Sequence, residues 1–157
     1  MRTIDEKVDL IMRYIVSNDW DEADNIKEQI ADILNSENSK KSVYVQDEIH
    51  KMLNELGIRQ SLLGHTYLTT AIELCLGDGG LIRRGVTALY SDIADEHNTA
   101  GSRIERAIRH SIQEGMTCGD LDIINRVFGS TIDSDKARPT NKHFIVACVD
   151  EMRRRLR

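Results

Sequence analysis

The chain has 157 residues, of which 40 % are hydrophobic and 30 % are charged, and it contains one proline. No apolar run approaches the roughly 20 residues needed to cross a bilayer, so we expect no association with a membrane. The N-terminal sequence is too acidic for a signal or transit peptide. The cysteines Cys75, Cys118 and Cys148 are widely spaced and form no C-x-x-C pair, which favours reduced thiols in the cytoplasm.

The formal net charge of −5 is unevenly distributed along the chain. Residues 1–47 hold 11 acidic against 6 basic residues, whereas from Gly101 onward there are 11 Lys and Arg against 8 Asp and Glu. Binding to a polyanion depends on a local basic surface rather than on the sum over the chain. The C-terminal part is therefore compatible with nucleic-acid binding, although its modest basic excess does not establish it.

Apolar residues follow helical spacing through the whole chain, so the sequence predicts an all-α fold. A first amphipathic helix covers 4–15, and a second covers about 19–34. The polar stretch 35–42 is rich in turn-forming residues and is predicted to be the boundary of this N-terminal helical hairpin. We therefore divide the chain into an acidic hairpin, residues 1–47, and a helical bundle with a helix-turn-helix, residues 48–157.

The main domain is predicted to contain a succession of helices joined by short loops. Gly57 closes the first of them as the residue after its C-cap, and Thr140 is the N-cap of the last. The predicted helices cover 45–56, 65–76, 81–90, 91–97, 99–115, 120–128 and 141–154.

The helix predicted at 99–115 has two contrasting sides. At an advance of about 100° per residue, its isoleucines, Ala107 and Ser111 share one side. Arginine pairs with guanine, glutamate accepts a hydrogen bond from cytosine, and glutamine reads adenine. The other side carries these residue types: Ser102, Arg103, Glu105, Arg106, Arg109, His110 and Gln113. The alternative is a solvated helix with ion pairs four residues apart, such as Glu105–Arg109.

The segment before this helix has the spacing of a helix-turn-helix. Ala94 is the small residue required inside the first helix, and Asn98, four positions later, tolerates the left-handed conformation of the turn. Ile104 and Ala107 follow Ala94 by ten and thirteen positions, where packing residues belong. Thr99 is placed as the N-cap of the second helix. These features in one register predict sequence-specific binding to the major groove of double-stranded DNA.

A longer run of residues around this motif is similar to a known family. The run ALYSDIADEHNTAGSRIERAIRHSIQ at 88–113 resembles the effector domain of the sporulation initiation transcription factor, a response regulator that controls the onset of endospore formation. The resemblance extends from about Glu48 to the C-terminus and includes GHTYLTTAIEL at 64–74 and KARPTNKHFI at 136–145. It implies a transcription regulator that binds a short DNA box, as a homodimer or as two copies head to tail, with RNA polymerase as a further partner.

The resemblance also implies roles for individual residues. The residues that would touch base edges are Arg103, Glu105 and Arg106. The residues that would contact or approach the phosphates are Ser102, Arg109 and His110. Lys136 and Arg138 match basic positions of the family, where contact with the DNA backbone is expected.

The family's full-length regulators begin with a receiver, an α/β domain that carries a phosphoacceptor aspartate. Residues 1–47 are too few for a receiver and lack the pattern of buried strands. We therefore expect a form without that domain and without control by phosphorylation. The acidic hairpin leaves open an alternative, a protein-interaction module or antagonist that pairs with a full-length family member through residues 1–47. A nonspecific architectural DNA binder ranks third, because the net acidity and Glu105 disfavour it.

No pattern in the sequence indicates an enzyme, a cofactor or a metal site. The histidines and cysteines lack ligand spacing, and GDGG at 77–80 lacks the strand and the Lys-Ser/Thr pair of a phosphate-binding loop. Carboxylate pairs such as Asp92 and Glu96 are better explained as a solvated helix face. The C-terminal RRRLR at 153–157 suits phosphate contacts and a solvated helix end equally well.

Overall fold

The computed structural model describes residues 3–17, 20–129 and 138–157, and every regular element in these ranges is helical. The predicted all-α fold is therefore confirmed. None of the described helices is both long and apolar enough to span a bilayer. The described α-helices are α1 (Ile4–Val16), α2 (Trp20–Glu55), α3 (Leu63–Gly77), α4 (Val86–Glu96), α5 (Gly101–Cys118), α6 (Leu121–Phe128) and α7 (Asn141–Arg155).

The chain divides into two compact units, Met1–Tyr44 and Val45–Arg157. The first unit holds α1 and the N-terminal part of α2, where Leu10 and Ile26 are buried. By contrast, α1 carries several apolar side chains that are exposed. Two ion pairs join α1 to α2 as a hairpin, Lys7–Glu37 and Arg13–Glu22.

Helix α2 is continuous through 35–42, so the turn predicted there is wrong. Asn and Ser lower helix propensity by less than about 1 kcal/mol each, whereas a true helix breaker such as proline costs about 3 kcal/mol. The stretch contains neither Gly nor Pro. The hydroxyls of Ser36 and Ser39 donate back to the carbonyls of Ile33 and Asn35, as helical serines commonly do. The helix therefore continues into the second unit.

The end of α2 has the geometry that the sequence predicts. Gly57 has a φ of +80°, a left-handed conformation that favours glycine. Its N–H donates to the carbonyl of Asn54, and that of Ile58 donates to the carbonyl of Leu53, each at 2.9 Å. These two bonds form a Schellman motif, which ends the helix and turns the chain toward α3.

The core of the second unit is formed by α2, α3, α4, α5 and α7, with α6 packed on α7. Helix α3 lies against α5 at Gly64, where the two backbones come so close that no side chain fits between them. The largest fully buried side chains of this unit include Ile49, Met52, Leu53, Leu68, Ile72, Leu89, Ile93, Ile104 and Phe144. This packing fixes one side of α5 and leaves the other side in solvent.

Residues 81–97 contain one α-helix rather than the two that the sequence predicts. A short 3₁₀ helix, Leu81–Arg83, is followed by α4, which passes through Tyr90 and Ser91 without a break. The polar residues at Ser91 and Asp92 suit a helix N-terminus, but they lie on the exposed side of α4. Burial of Leu89, Ile93 and Ala94 favours continuing the helix.

The turn between α4 and α5 contains one confirmed and one wrong prediction. Asn98 has a φ of +48°, the left-handed conformation predicted for the turn. The N-cap of α5, however, is Ala100 and not Thr99. The N–H of Thr99 donates to the carbonyl of Ala94 at 3.0 Å, while its buried hydroxyl has no hydrogen-bond partner among the described residues. Thr99 is therefore part of the turn, and α5 starts at Gly101.

Both ends of α7 are held by side chains. Thr140 is its N-cap, as predicted, because the threonine hydroxyl accepts a hydrogen bond from the N–H of His143. At the other end, the buried carboxylate of Glu151 forms ion pairs with Arg126, Arg154 and Arg155. Arg155 also pairs with Glu55 at the end of α2, at 2.5 Å. Much of the C-terminal basic run is thus engaged within the protein.

Candidate nucleic-acid interface

Helix α5 is amphipathic, and the structure places its two sides as the sequence suggests. Ile104, Ile108, Ser111 and Ile112 are buried. The candidate DNA-contacting residues occupy the opposite side, where Glu105 is half-buried and the others are exposed: Ser102, Arg103, Arg106, Arg109, His110 and Gln113. A cationic and hydrogen-bonding surface therefore faces solvent along about three turns of helix.

A groove lies beside this surface, between α4, α5 and the segment that enters α7. Its α7 side brings Arg138 and Lys142 opposite α5. Its α5 side is lined by Ser102, Glu105, Arg109 and Gln113. The other candidates on α5, which lie outside the groove, are Arg103, Arg106 and His110.

The groove and its surroundings hold several cations that are available to an anionic partner. Arg103, Arg106, Arg138 and Lys142 form no ion pair with the residues that the structure describes. Arg109 is different, because it pairs with Glu105 one turn away, as the spacing suggests. The side chains of Arg109 and Glu105 are 60 % and 43 % exposed, so the pair contributes little to stability.

Asn141 connects the α7 side of the groove to the other two helices. Its amide nitrogen donates to the hydroxyl of Tyr90 on α4 and to the main-chain oxygen of Glu105 on α5, each at 3.0 Å. Burial raises the pKa of the Tyr90 phenol, so the hydroxyl stays protonated at neutral pH. Asn141 thus joins the start of α7 to the two other helices that line the groove, α4 and α5.

Two residues that line the groove are not among the candidates predicted from the sequence. Asn141 and Lys142 lie within the run KARPTNKHFI at 136–145, but the sequence assigns them no role. The packing of α7 against α5 places them in the groove, and Asn141 there contacts a residue 36 positions away. Lys136, the remaining candidate, lies outside the described residues.

This is an all-helical domain with an exposed cationic helix and further cations in the groove beside it. These features are typical of a DNA-binding domain. Residues 49–152 match the family described as "Sporulation initiation factor Spo0A C terminal". The match covers about two thirds of the 157 residues, and the chain belongs to this family. The resemblance predicted from the sequence is confirmed. The protein carries a DNA-binding effector domain of transcription regulation in sporulation, and the family is one of transcription-factor domains rather than of enzymes.

Proposed function

We propose that this protein is a sequence-specific transcription regulator that reads duplex DNA with α4, the turn at Asn98 and α5 as a helix-turn-helix. The observation that carries the proposal is the exposed side of α5, from Ser102 to Gln113, with a groove of further cations beside it. In this arrangement α5 enters the major groove, and the flanking cations meet the phosphates. The protein would act in the cytoplasm, where a sporulating bacterium keeps its chromosome.

The surface suggests a division between residues that read bases and residues that bind phosphates. Arg103 and Arg106 are exposed and form no ion pair with described residues, so their guanidinium groups are available for base edges. Glu105 and Gln113 add acceptor and amide groups to the same reading surface. The residues assigned to the phosphates are Ser102, Arg109, His110 and Arg138, with Lys136 as a further candidate.

Two single substitutions on α5 are expected to separate these roles. Arg106→Ala removes a base contact, so discrimination between the preferred duplex and a variant duplex should fall by about 1–3 kcal/mol. Arg109→Ala removes a phosphate contact, so affinity should fall for all duplexes and the slope of log K against log salt should decrease by about 1. Both are measured by fluorescence anisotropy with a duplex selected from a random library.

Lys51→Ala is the matched control for charge, because Lys51 is an exposed cation on α2 that does not line the groove. It should retain both the discrimination and the salt slope of the unaltered protein. The proposal is wrong if Arg106→Ala and Arg109→Ala behave as this control does.

The mode of regulation is part of the proposal. The described residues ahead of the family match form α1 and most of α2. Control without phosphorylation stays a prediction from the sequence. A phosphodonor such as acetyl phosphate should then leave DNA affinity unchanged. Binding as a homodimer or as two copies head to tail, and contact with RNA polymerase, stay predictions from the resemblance.

A second candidate function is a protein-interaction module that pairs with a full-length family member through residues 1–47. The observation that favours it is a helical stripe of exposed apolar side chains on α1, formed by Val8, Ile11, Met12 and Ile15. An exposed stripe of this kind is typical of a surface that docks on another protein. In a pull-down of a full-length family member, Ile11→Glu/Ile15→Glu should recover less than the unaltered chain, and equal recovery would remove this candidate.

A further inference from the structure

The N-terminus of α7 is joined to two other helices through the side chain of Asn141. A side-chain amide has two N–H donors, and here one serves Tyr90 on α4 and the other serves the main-chain oxygen of Glu105 on α5. Tyr90 is buried, and the main-chain oxygen of Glu105 belongs to the backbone of α5, which is packed on its other side through Ile104 and Ile108. Asn141 therefore fixes the start of α7 against α4 and α5 at once.

Asn141 lies within the basic segment of the groove. Arg138 precedes it by three positions and Lys142 follows it directly. Both cations line the groove across from Arg109, and neither forms an ion pair with the described residues. The N-cap bond of Thr140 orders the same turn of helix. The distance of these two cations from α5 thus depends on contacts made by their neighbours, not on contacts of their own.

We propose that Asn141 is a positioning residue for DNA binding. By holding the start of α7 to Tyr90 and Glu105, it keeps Arg138 and Lys142 where they meet the sugar–phosphate backbone of the duplex that α5 reads. The inference rests on the proposed function and deepens it, because it assigns the α7 side of the groove to phosphates. Each contact between a cation and a phosphate releases counterions from the DNA. A cation that is displaced from its phosphate therefore contributes less to affinity and to the salt dependence of binding, although the protein still carries its charge.

The test is a double-mutant cycle on DNA binding by the full chain. It compares the unaltered protein, Asn141→Ala, Arg138→Ala/Lys142→Ala and the triple variant on the selected duplex over a range of salt concentrations. Asn141→Ala should decrease the salt slope by about 1–2 and weaken binding about tenfold at low salt. In the triple variant, Asn141→Ala should add no further loss, because it acts through the two cations that are already removed. The preference among duplexes should not change.

Additivity in this cycle, or an unchanged salt slope for Asn141→Ala, would overturn the proposal, since a purely structural residue would weaken both backgrounds equally. Thermal unfolding of each variant shows whether it is folded at the assay temperature. If Asn141→Ala is not, Tyr90→Phe carries the test, because it removes one acceptor, keeps the buried ring and should give an intermediate slope.

Two comparisons make the outcome specific. Asn125→Ala replaces an exposed asparagine on α6 and should leave binding unchanged. If Arg106→Ala and Arg109→Ala both behave as Lys51→Ala does, the proposed function itself fails. If Arg109→Ala flattens the slope and Asn141→Ala does not, only the role of Asn141 is wrong.

Discussion

Replacing Gly64 with alanine is expected to lower the free energy of unfolding by about 3 kcal/mol, because the added methyl group has no room. A Cβ at this position would fall well inside contact distance of the Ser111 hydroxyl and the main-chain oxygen of Ala107. It would also lie 2.8 Å from the carbonyl carbon of Ala107. Backbone atoms cannot rotate away as a side chain can, so α3 and α5 must separate. The exposed side of α5 would move with its helix.

The matched control is Gly77→Ala, at the other end of the same helix. No described atom outside the immediate chain lies within 4 Å of a Cβ at Gly77. Alanine favours a helix over glycine by up to about 1 kcal/mol, so this variant should be as stable as the unaltered protein or slightly more stable. Urea unfolding of both variants gives the comparison.

A second substitution distinguishes a clash with the backbone from a clash with one side chain. Ser111→Ala in the Gly64→Ala background removes the hydroxyl but leaves the main chain of Ala107 in place. We expect it to restore little stability. If Gly64→Ala unfolds at the same urea concentration as Gly77→Ala, the inference that α3 and α5 leave no room for a side chain at Gly64 is wrong.

The second large effect is expected for Glu151→Gln, which should cost about 3 kcal/mol at neutral pH, near the low end for a broken buried ion pair. The Glu151 side chain is 6 % exposed and that of Arg155 is 15 % exposed. Loss of the carboxylate leaves the Arg155 guanidinium with Glu55 as its remaining partner. Arg126 and Arg154 are each 58 % exposed, so their pairs with Glu151 add little.

The same carboxylate gives a pH signature. Burial by itself would raise the pKa of Glu151, but the hydrogen bond from Arg155 and the charges of the surrounding arginines leave this pKa below its ordinary value of 4.5. A group with a lowered pKa in the folded state stabilises the fold above its unfolded pKa, and this contribution is lost as the pH falls through the folded pKa. Stability of the unaltered protein should therefore fall below about pH 4.5, and Glu151→Gln should show a smaller fall there.

Asp150→Asn is the control for this experiment, because Asp150 neighbours Glu151 but is 58 % exposed and pairs with the exposed Arg153. Its stability and pH dependence should match those of the unaltered protein. Denaturant unfolding between pH 3 and pH 7 measures both quantities. Equal behaviour of the two variants would show that the network at Glu151 does not stabilise the end of α7.

The features that the sequence predicts correctly depend on a few neighbouring residues. The left-handed turn at Asn98, the helix end at Gly57 and the N-cap at Thr140 are local preferences of the backbone. The two sides of α5 follow from helical period alone. The roles of its exposed residues in binding DNA stay predictions.

The features that the sequence does not reveal depend on packing between distant segments. Thr99 has the chemistry of an N-cap, but its hydroxyl is buried in the turn and the N-cap is Ala100. The stretch 35–42 has the composition of a loop, yet α2 continues through it. The contacts of Asn141 with Tyr90 and Glu105 arise only when α7 docks on the bundle. Composition sets the local preference of a segment for helix or turn, and tertiary contacts of this kind override that preference.

The bond between Asn141 and residue 105 uses the main-chain oxygen and not the carboxylate. Every amino acid carries that oxygen, so this hydrogen bond does not depend on which side chain occupies position 105. Side chains on the exposed side of α5, such as Arg103 and Glu105, can therefore be changed while the hydrogen bond that holds α7 to α5 stays intact. Under the proposed function, this separation would let relatives, or a designed library, acquire new operators without rebuilding the domain.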